Sequence, residues 1–358
     1  MRSSFGAVAA ILGIGLASGD SLPPNVLGAQ QPPVAPAAST WTVARDPFVD
    51  LWFHSLAVVG YDGYGPLGLY DARYAARVRE AKSRSHITTM LDRRGPELRR
   101  SLAADSAFEV LHFLPLYFVG QEPSLVLSAL RAAVRETPGD QRMSSLTAAA
   151  SVIAAALPTG HERDVFVGLL DAVDAEWTAF LRADRSSRAT EDRRLVRDLQ
   201  SAWDERFAHS LDRYLSTIGI SRGTILISPA IGAEGRIVRD PSGGAIVAVS
   251  PDRGGGSGEN AALLRVVREL AFPLLDQLRT PLANSTTRDA AAVRAGALIL
   301  DCVDKSLAAQ YRRLFLDAIG GRAFDAAYPI SIQTDTELRR IVTSAVIGAA
   351  SGRTSYEN

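Results

Sequence analysis

A single cysteine, Cys302, stands in 358 residues, so no disulfide can close within the chain and stability falls to packing. Set in an apolar helical pattern, Cys302 is expected as a buried, inert thiol. Histidine is nearly as scarce: there are five, none four positions from another, which leaves no helical pair for a metal ion. Excess charge of either sign is missing too. Lys plus Arg and Asp plus Glu both number 39, and no run of four basic residues occurs, so nucleic acid is not an expected partner. The one string of G-x-S-x-G form, Gly219 to Gly223, runs into a β-branched stretch and does not stand at the strand-to-helix turn of a serine elbow, and the glycine-rich stretch from Asp252 to Asn260 lacks the Lys-Ser or Lys-Thr pair of a phosphate loop. The commonest serine, cysteine and nucleotide chemistries therefore have no signature to stand on.

What is present begins with a targeting pattern. Arg2 precedes an apolar run from Phe5 to Leu16 and then small residues, which reads as a signal peptide over 1–29, cleaved after Gly19 or Ala29. The run is too short to span a bilayer and no cysteine follows it for a lipid anchor, so no membrane span is expected after cleavage. Export to the periplasm or the extracellular space is the implied destination. Residues 30–40, rich in Pro, Ala and Gln, read as a disordered tether.

The remainder divides by pattern. Over 41–218, apolar residues recur at helical spacing: Asp46–Val59 with Asp46 as cap and Pro47 in the first turn, Ala72–Arg84, Ser85–Phe118 interrupted near Gly95 and Pro96, Pro123–Glu136, Ser144–Leu157, Arg163–Leu181 and Thr190–Ile218. His54 falls inside the first helix and reads as a core histidine with a hydrogen-bond partner. GYDGYGPLGLY, from Gly60 to Tyr70, reads as a tyrosine-braced turn rather than a dinucleotide loop, because Pro66 and Gly68 interrupt any receiving helix. Beyond Arg222 the texture changes to β-branched runs bounded by Gly and Pro, GTILISPAIG, GRIVRD and GAIVAVSP, which predict a small sheet of about three strands. Helices follow over Glu259–Leu278, Asp289–Asp317 and Thr334–Ala349. The expected fold is α+β and predominantly α-helical, with the sheet near the Glu259–Leu278 helix in a region covering 219–350.

That helix reads ENAALLRVVRELAFPLLDQL, with Leu263, Val267, Leu270, Leu274 and Leu278 as its apolar stripe and Pro273 as a kink. Its centre, RELAF at 268–272 followed by Pro273, resembles the HExxH helix of gluzincin-type zinc metallopeptidase domains, such as those of exported bacterial proteins with an HExxH-like string followed by Pro. The resemblance covers residues 215–320. It places the first zinc-binding His at Arg268, the general base at Glu269 and the second His at Phe272. Only Glu269 and Pro273 match. The family's third ligand is a Glu on the following helix, and no Glu occurs between Glu269 and Glu337. A guanidinium has no lone pair to give at neutral pH and a phenyl ring has none, so zinc is not expected, and without it Glu269 has no activated water to serve.

The resemblance thus implies a pseudoenzyme: an exported metallopeptidase-like protein with a binding or scaffolding role, taking a peptide or protein in its cleft by addition to an edge strand. Arg268, fixed where the metal would sit, needs a carboxylate, and Glu269 or the aspartates Asp301 and Asp304 of the next helix are the expected partners. Phe272 is expected to fill the vacated volume. One alternative is a hydrolase gathering Glu269, Asp276, Asp301 and Asp304 around a hard cation. Another is a helical envelope protein with no active site, in which RVVREL is only a charged helix face.

Overall fold

The computed structural model describes residues 40–62, 67–135, 145–157, 159–240, 243–251 and 260–347. The signal peptide and, apart from Thr40, the tether lie outside these residues, as does most of the Asp252–Asn260 stretch. In chain order the elements are β1 (Trp41–Ala44), α1 (Pro47–Val59), α2 (Ala72–Arg84), α3 (Met90–Ala103), α4 (Pro123–Arg135), α5 (Ser145–Ala155), α6 (Gly160–Glu176), α7 (Arg182–Ala202) and α8 (His209–Thr217). Then come β2 (Arg222–Ile227), β3 (Arg236–Asp240), β4 (Gly244–Val249), α9 (Ala261–Leu275), α10 (Ser285–Val303), α11 (Lys305–Ile319), α12 (Phe324–Ala327) and α13 (Ile332–Ile347). The fold is α+β and predominantly α-helical, with one small sheet. Among the described residues no helix is long and apolar enough to cross a membrane.

The sheet has four strands in the order β1-β2-β4-β3, and β1 is the one the sequence pattern does not reveal. WTVA is too short to display alternation, and it pairs in parallel with β2, Trp41 opposite Gly223, across nearly the whole helical region. β2 runs parallel to β4, and β3 runs antiparallel to β4. Alternation then sorts the side chains onto two faces. Val43, Ile225, Ile227, Val247 and Val249 join α8, α9, α10, α11 and α13 in one core, while Leu226 and Ala248 join α1 and α3 to α6 in the other. The sheet is therefore a partition with a helical layer on each side.

Local chemistry explains where helices start, stop and run on. The Asp46 carboxylate accepts from Val49 N at 2.9 Å and so caps α1, with Pro47 in the first turn. The helical region is not interrupted at Gly95 and Pro96: α3 passes through both, with Leu91, Leu98 and Leu102 buried along one side. Nor does it break between Leu181 and Thr190. Helix runs without a gap from Gly160 to Thr217, through π turns at Trp177–Leu181 and Trp203–Ala208. RADRSSRA holds no Gly or Pro, and Arg188 pairs with Asp184 one turn back at 2.8 Å. Conversely, the long helix expected over Asp289–Asp317 is two. Asp304 adopts extended backbone, and its carboxylate accepts from Ser306 N and Leu307 N to cap α11. Cys302, in the last turn of α10, lies opposite the buried stripe ending at Leu300 and is exposed rather than buried. Burial of its surroundings, with Asp301 alongside, raises the thiol pKa, so the reactive thiolate is disfavoured.

Candidate functional site

α9 packs against β4 with almost its entire surface covered, and of its residues before Asp276 only Phe272 is left partly exposed. Arg268 is fully buried and Glu269 is 1% exposed. A charge in such a place must be met by others. One end of the Arg268 guanidinium is ion-paired to Glu269, and Nη2 donates to Asp289 Oδ1 at 3.0 Å. Its flat face lies over the Phe272 ring, 5.1 Å from the centroid, with Arg288 also near that ring. Glu269 Oε1 accepts in addition from Gly235 N at 3.0 Å. Only glycine permits that approach, since a Cβ on residue 235 would lie 2.7 Å from the Ala248 carbonyl oxygen and 2.8 Å from Glu269 Cγ.

Glu234, 1% exposed, adds a third acid beside this group and accepts from Arg236 Nη1 at 3.2 Å. Burial alone would lower the Arg268 pKa, but Glu269, Asp289 and Glu234 outweigh it and hold the pKa above its ordinary value. Asp289 moves the other way. Burial pushes its carboxyl up to about 6 against the pull of Arg268, and Glu234 and Glu269 push with it. Three acids thus share two guanidiniums, and Asp289 is the most accessible of the three. Glu234 Oε1, Arg236 Nε and Arg268 Nε have no hydrogen-bond partner, so the cluster is tightly paired but not fully satisfied.

This raised pKa has a readable sign. Asp289 binds its proton more tightly folded than unfolded, so its contribution to stability is fully present below about 4 and is lost as pH rises through about 6. Asn cannot titrate. Urea unfolding at pH 4 to 8 is expected to show Asp289→Asn gaining on the parent chain by about 2 kcal/mol across that window, then running parallel to it above about pH 7. A difference independent of pH would contradict the shared-acid arrangement.

Of the residues singled out in the sequence, Arg268, Glu269 and Phe272 come together, and the expected aspartates do not join them. Asp301 is ion-paired to Arg312 and Asp304 caps α11. The reason is axial distance. α10 folds back along α9 after the connection 276–284, which brings its first turns, not its last, beside Arg268; Asp301 lies about 18 Å further along the axis than Asp289. Asp276, two turns beyond Glu269, ends on the surface with Arg288 at 2.7 Å. The four carboxylates of a cation centre are thus dispersed, each with its own partner. Among the described residues no group of three or more His, Cys, Asp or Glu is placed to hold a metal ion.

Asp289 is the residue the sequence reading passed over. A search for Glu beyond Glu269 missed Asp289, the first acid of α10 and the one that reaches Arg268. Glu234 was missed because it sits in the irregular link between β2 and β3, where no period marks it.

A second buried ionic group lies on the other side of the sheet. His54 is buried as a core histidine, with Nδ1 2.8 Å from the Tyr74 hydroxyl and Nε2 2.8 Å from Glu176 Oε1. Lys82 Nζ meets Glu176 at 2.7 Å and Asp92 at 2.9 Å, and Thr89 donates to Glu176 as well. Nearby, His112 stacks on Tyr61 at 4.8 Å, and its Nδ1 lies 2.9 Å from the Tyr70 hydroxyl, so these two tyrosines brace against a histidine, while residues 63–66 of the expected turn lie outside the described residues. Burial, with Arg236 beside it, drives His112 down to about 3, so it stays neutral.

Among the described residues one cleft lies between β1 and α7 and a smaller one among α10, α11, α12 and α13. Glu269 lines neither. Comparison with models of known protein families, with curated proteins and with solved structures finds no match for this chain.

Proposed function

We propose that this is an exported, periplasmic or extracellular, metallopeptidase-like protein without peptidase activity, whose domain serves binding or scaffolding. The observation that carries the proposal is the place of the Arg268 guanidinium. It sits between the side chain at the second-histidine position, the general-base carboxylate and a carboxylate of the following helix, the three neighbours a gluzincin zinc ion would have. The residues do not fit zinc itself: the first ligand position carries a fixed cation and the second a ring with no lone pair. The guanidinium takes over the charge of the ion, Phe272 takes over volume, and Glu269 is held by Gly235 N–H and Arg268 instead of serving a water.

The burial of Glu269 outside these two clefts favours a second reading, a helical envelope protein whose buried ion pair never had a metal ancestor. One experiment separates the two. Arg268→His with Phe272→His restores two imidazoles four residues apart beside Asp289. Under the proposal the folded double variant takes up one zinc per chain by metal analysis, and adding Asp289→Ala lowers its affinity about 10-fold or more. A variant with parent-like circular dichroism that takes up no zinc sinks the metallopeptidase reading and leaves the envelope protein.

A further inference from the structure

The sheet has two edges. β3 ends it beside Glu269; β1 ends it at the far side, about 14 Å away across three strand spacings. An open strand edge presents unpaired N–H and C=O groups, and proteins commonly cover them. At β1 a side chain covers part of the edge. Gln200 of α7 accepts from Val43 N at 2.7 Å through Oε1 and donates to Trp41 O at 3.1 Å through Nε2. Trp41 O and Val43 N are the two groups that a single residue of a neighbouring parallel strand would engage. The carboxamide therefore imitates one residue of a fifth strand.

The space for the rest of that strand exists. Between β1 and α7 runs a groove of about 660 Å³, floored by Val43, Ala44 and Arg45. Its strand is already fixed in place: β2 pairs with one side of β1, and the Trp41 ring packs on Trp203 at 5.1 Å. Four arginines and two aspartates line the groove. Arg45 is taken up by Asp50 and Asp192, and Arg185 by Asp50. Arg193 and Arg197, one turn apart and exposed, are different: Arg193 donates only to the Thr190 hydroxyl, at 3.3 Å, and Arg197 makes no ion pair among the described residues. Asp204 is held by Gln200 Nε2, at 3.0 Å to each oxygen. Against the four guanidiniums, among the described residues, stand only the carboxylates of Asp50, Asp192 and Asp204, so the net charge of the groove is positive.

We infer that an extended peptide carrying acidic side chains docks in this groove as a fifth, parallel strand on β1, and that Gln200 keeps its place in the free protein. Entry displaces the carboxamide from Trp41 and Val43. Gln200 retains its bond to Asp204, so the displaced side chain is not left without a partner. The backbone of the peptide takes over the two edge bonds, and its carboxylates face Arg193 and Arg197. This docking surface does not rest on the metallopeptidase reading, since neither Arg268 nor Glu269 contributes to it.

The test is fluorescence polarisation with a labelled ten-residue peptide alternating Thr or Val with Glu. Three controls apply: the same peptide with Lys for Glu, the same peptide N-methylated at alternate residues, and the parent protein beside its variants. Gln200→Ala removes the competitor and is expected to tighten binding about fivefold, the worth of one net hydrogen bond. Arg193→Glu with Arg197→Glu, both on the surface, is expected to keep the parent circular dichroism and to weaken binding about tenfold or more. The Lys and N-methylated peptides are expected not to bind. Amide exchange at Val43 is expected to quicken in Gln200→Ala and slow again when peptide is added. Unchanged affinity in Gln200→Ala, retained binding of the N-methylated peptide, or no binding by parent and Gln200→Ala at millimolar peptide overturns the inference.

Discussion

Arg268→Met is expected to unfold about 3 to 5 kcal/mol more readily than the parent chain in urea titrations at pH 7, the cost of leaving buried carboxylates without their cation. The side-chain volume is nearly kept, so packing is not the cause. What is lost is the partner of Glu269, which is 1% exposed, and of Asp289. The companion variant decides the matter. In Arg268→Met with Glu269→Gln, the amide oxygen still accepts from Gly235 N while one stranded charge is gone, so the loss is expected to be smaller than in Arg268→Met alone. A cost for Arg268→Met below about 1 kcal/mol, the scale of a solvated pair, would show that the cluster does not act as a buried charge unit.

Glu176→Gln is the second large effect, and it is set by pH. Burial alone would raise the Glu176 carboxyl, but the hydrogen bond and charge of His54, and then Lys82, outweigh burial and hold it down at about 2. A carboxyl that is more acidic folded than unfolded adds stability above its unfolded value, near 4.5, and loses it as pH falls towards 2. The parent chain is therefore expected to exceed Glu176→Gln by about 3 kcal/mol at pH 7, with the two converging between about pH 4.5 and 2. Thermal unfolding followed by circular dichroism over that range measures the convergence. A gap of constant size would mean that Glu176 matters through shape and not through charge.

The sequence made the helical character and the three strands after Arg222 readable, because long amphipathic stretches and β-branched runs between glycines carry their period on their face. Elements set by distant contacts were hidden. β1 is a strand only because β2 lies beside it, and RADRSSRA stays helical because neighbouring helix on both sides carries it through. In the candidate site Arg268, Glu269 and Phe272 were readable as a group from RELAF itself. The partners were not, since they depend on how far α10 folds back along α9. That geometry selects Asp289 over Asp301 and Asp304, and no spacing within the chain encodes it.

The pairing of β1 with β2 also sets an order of events. Thr42 and Thr224 meet across 182 residues, and such long loop closures come late because their entropy must be spent before any contact repays it. Synthesised amino terminus first, the chain displays WTVA long before Arg222–Ile227 exists to receive it. The helical layer containing α1 to α6 can assemble in the interval, but the partition between the two cores closes only when its earliest-made strand is joined to a much later one. Folding of the two halves is thereby tied to a single late seam.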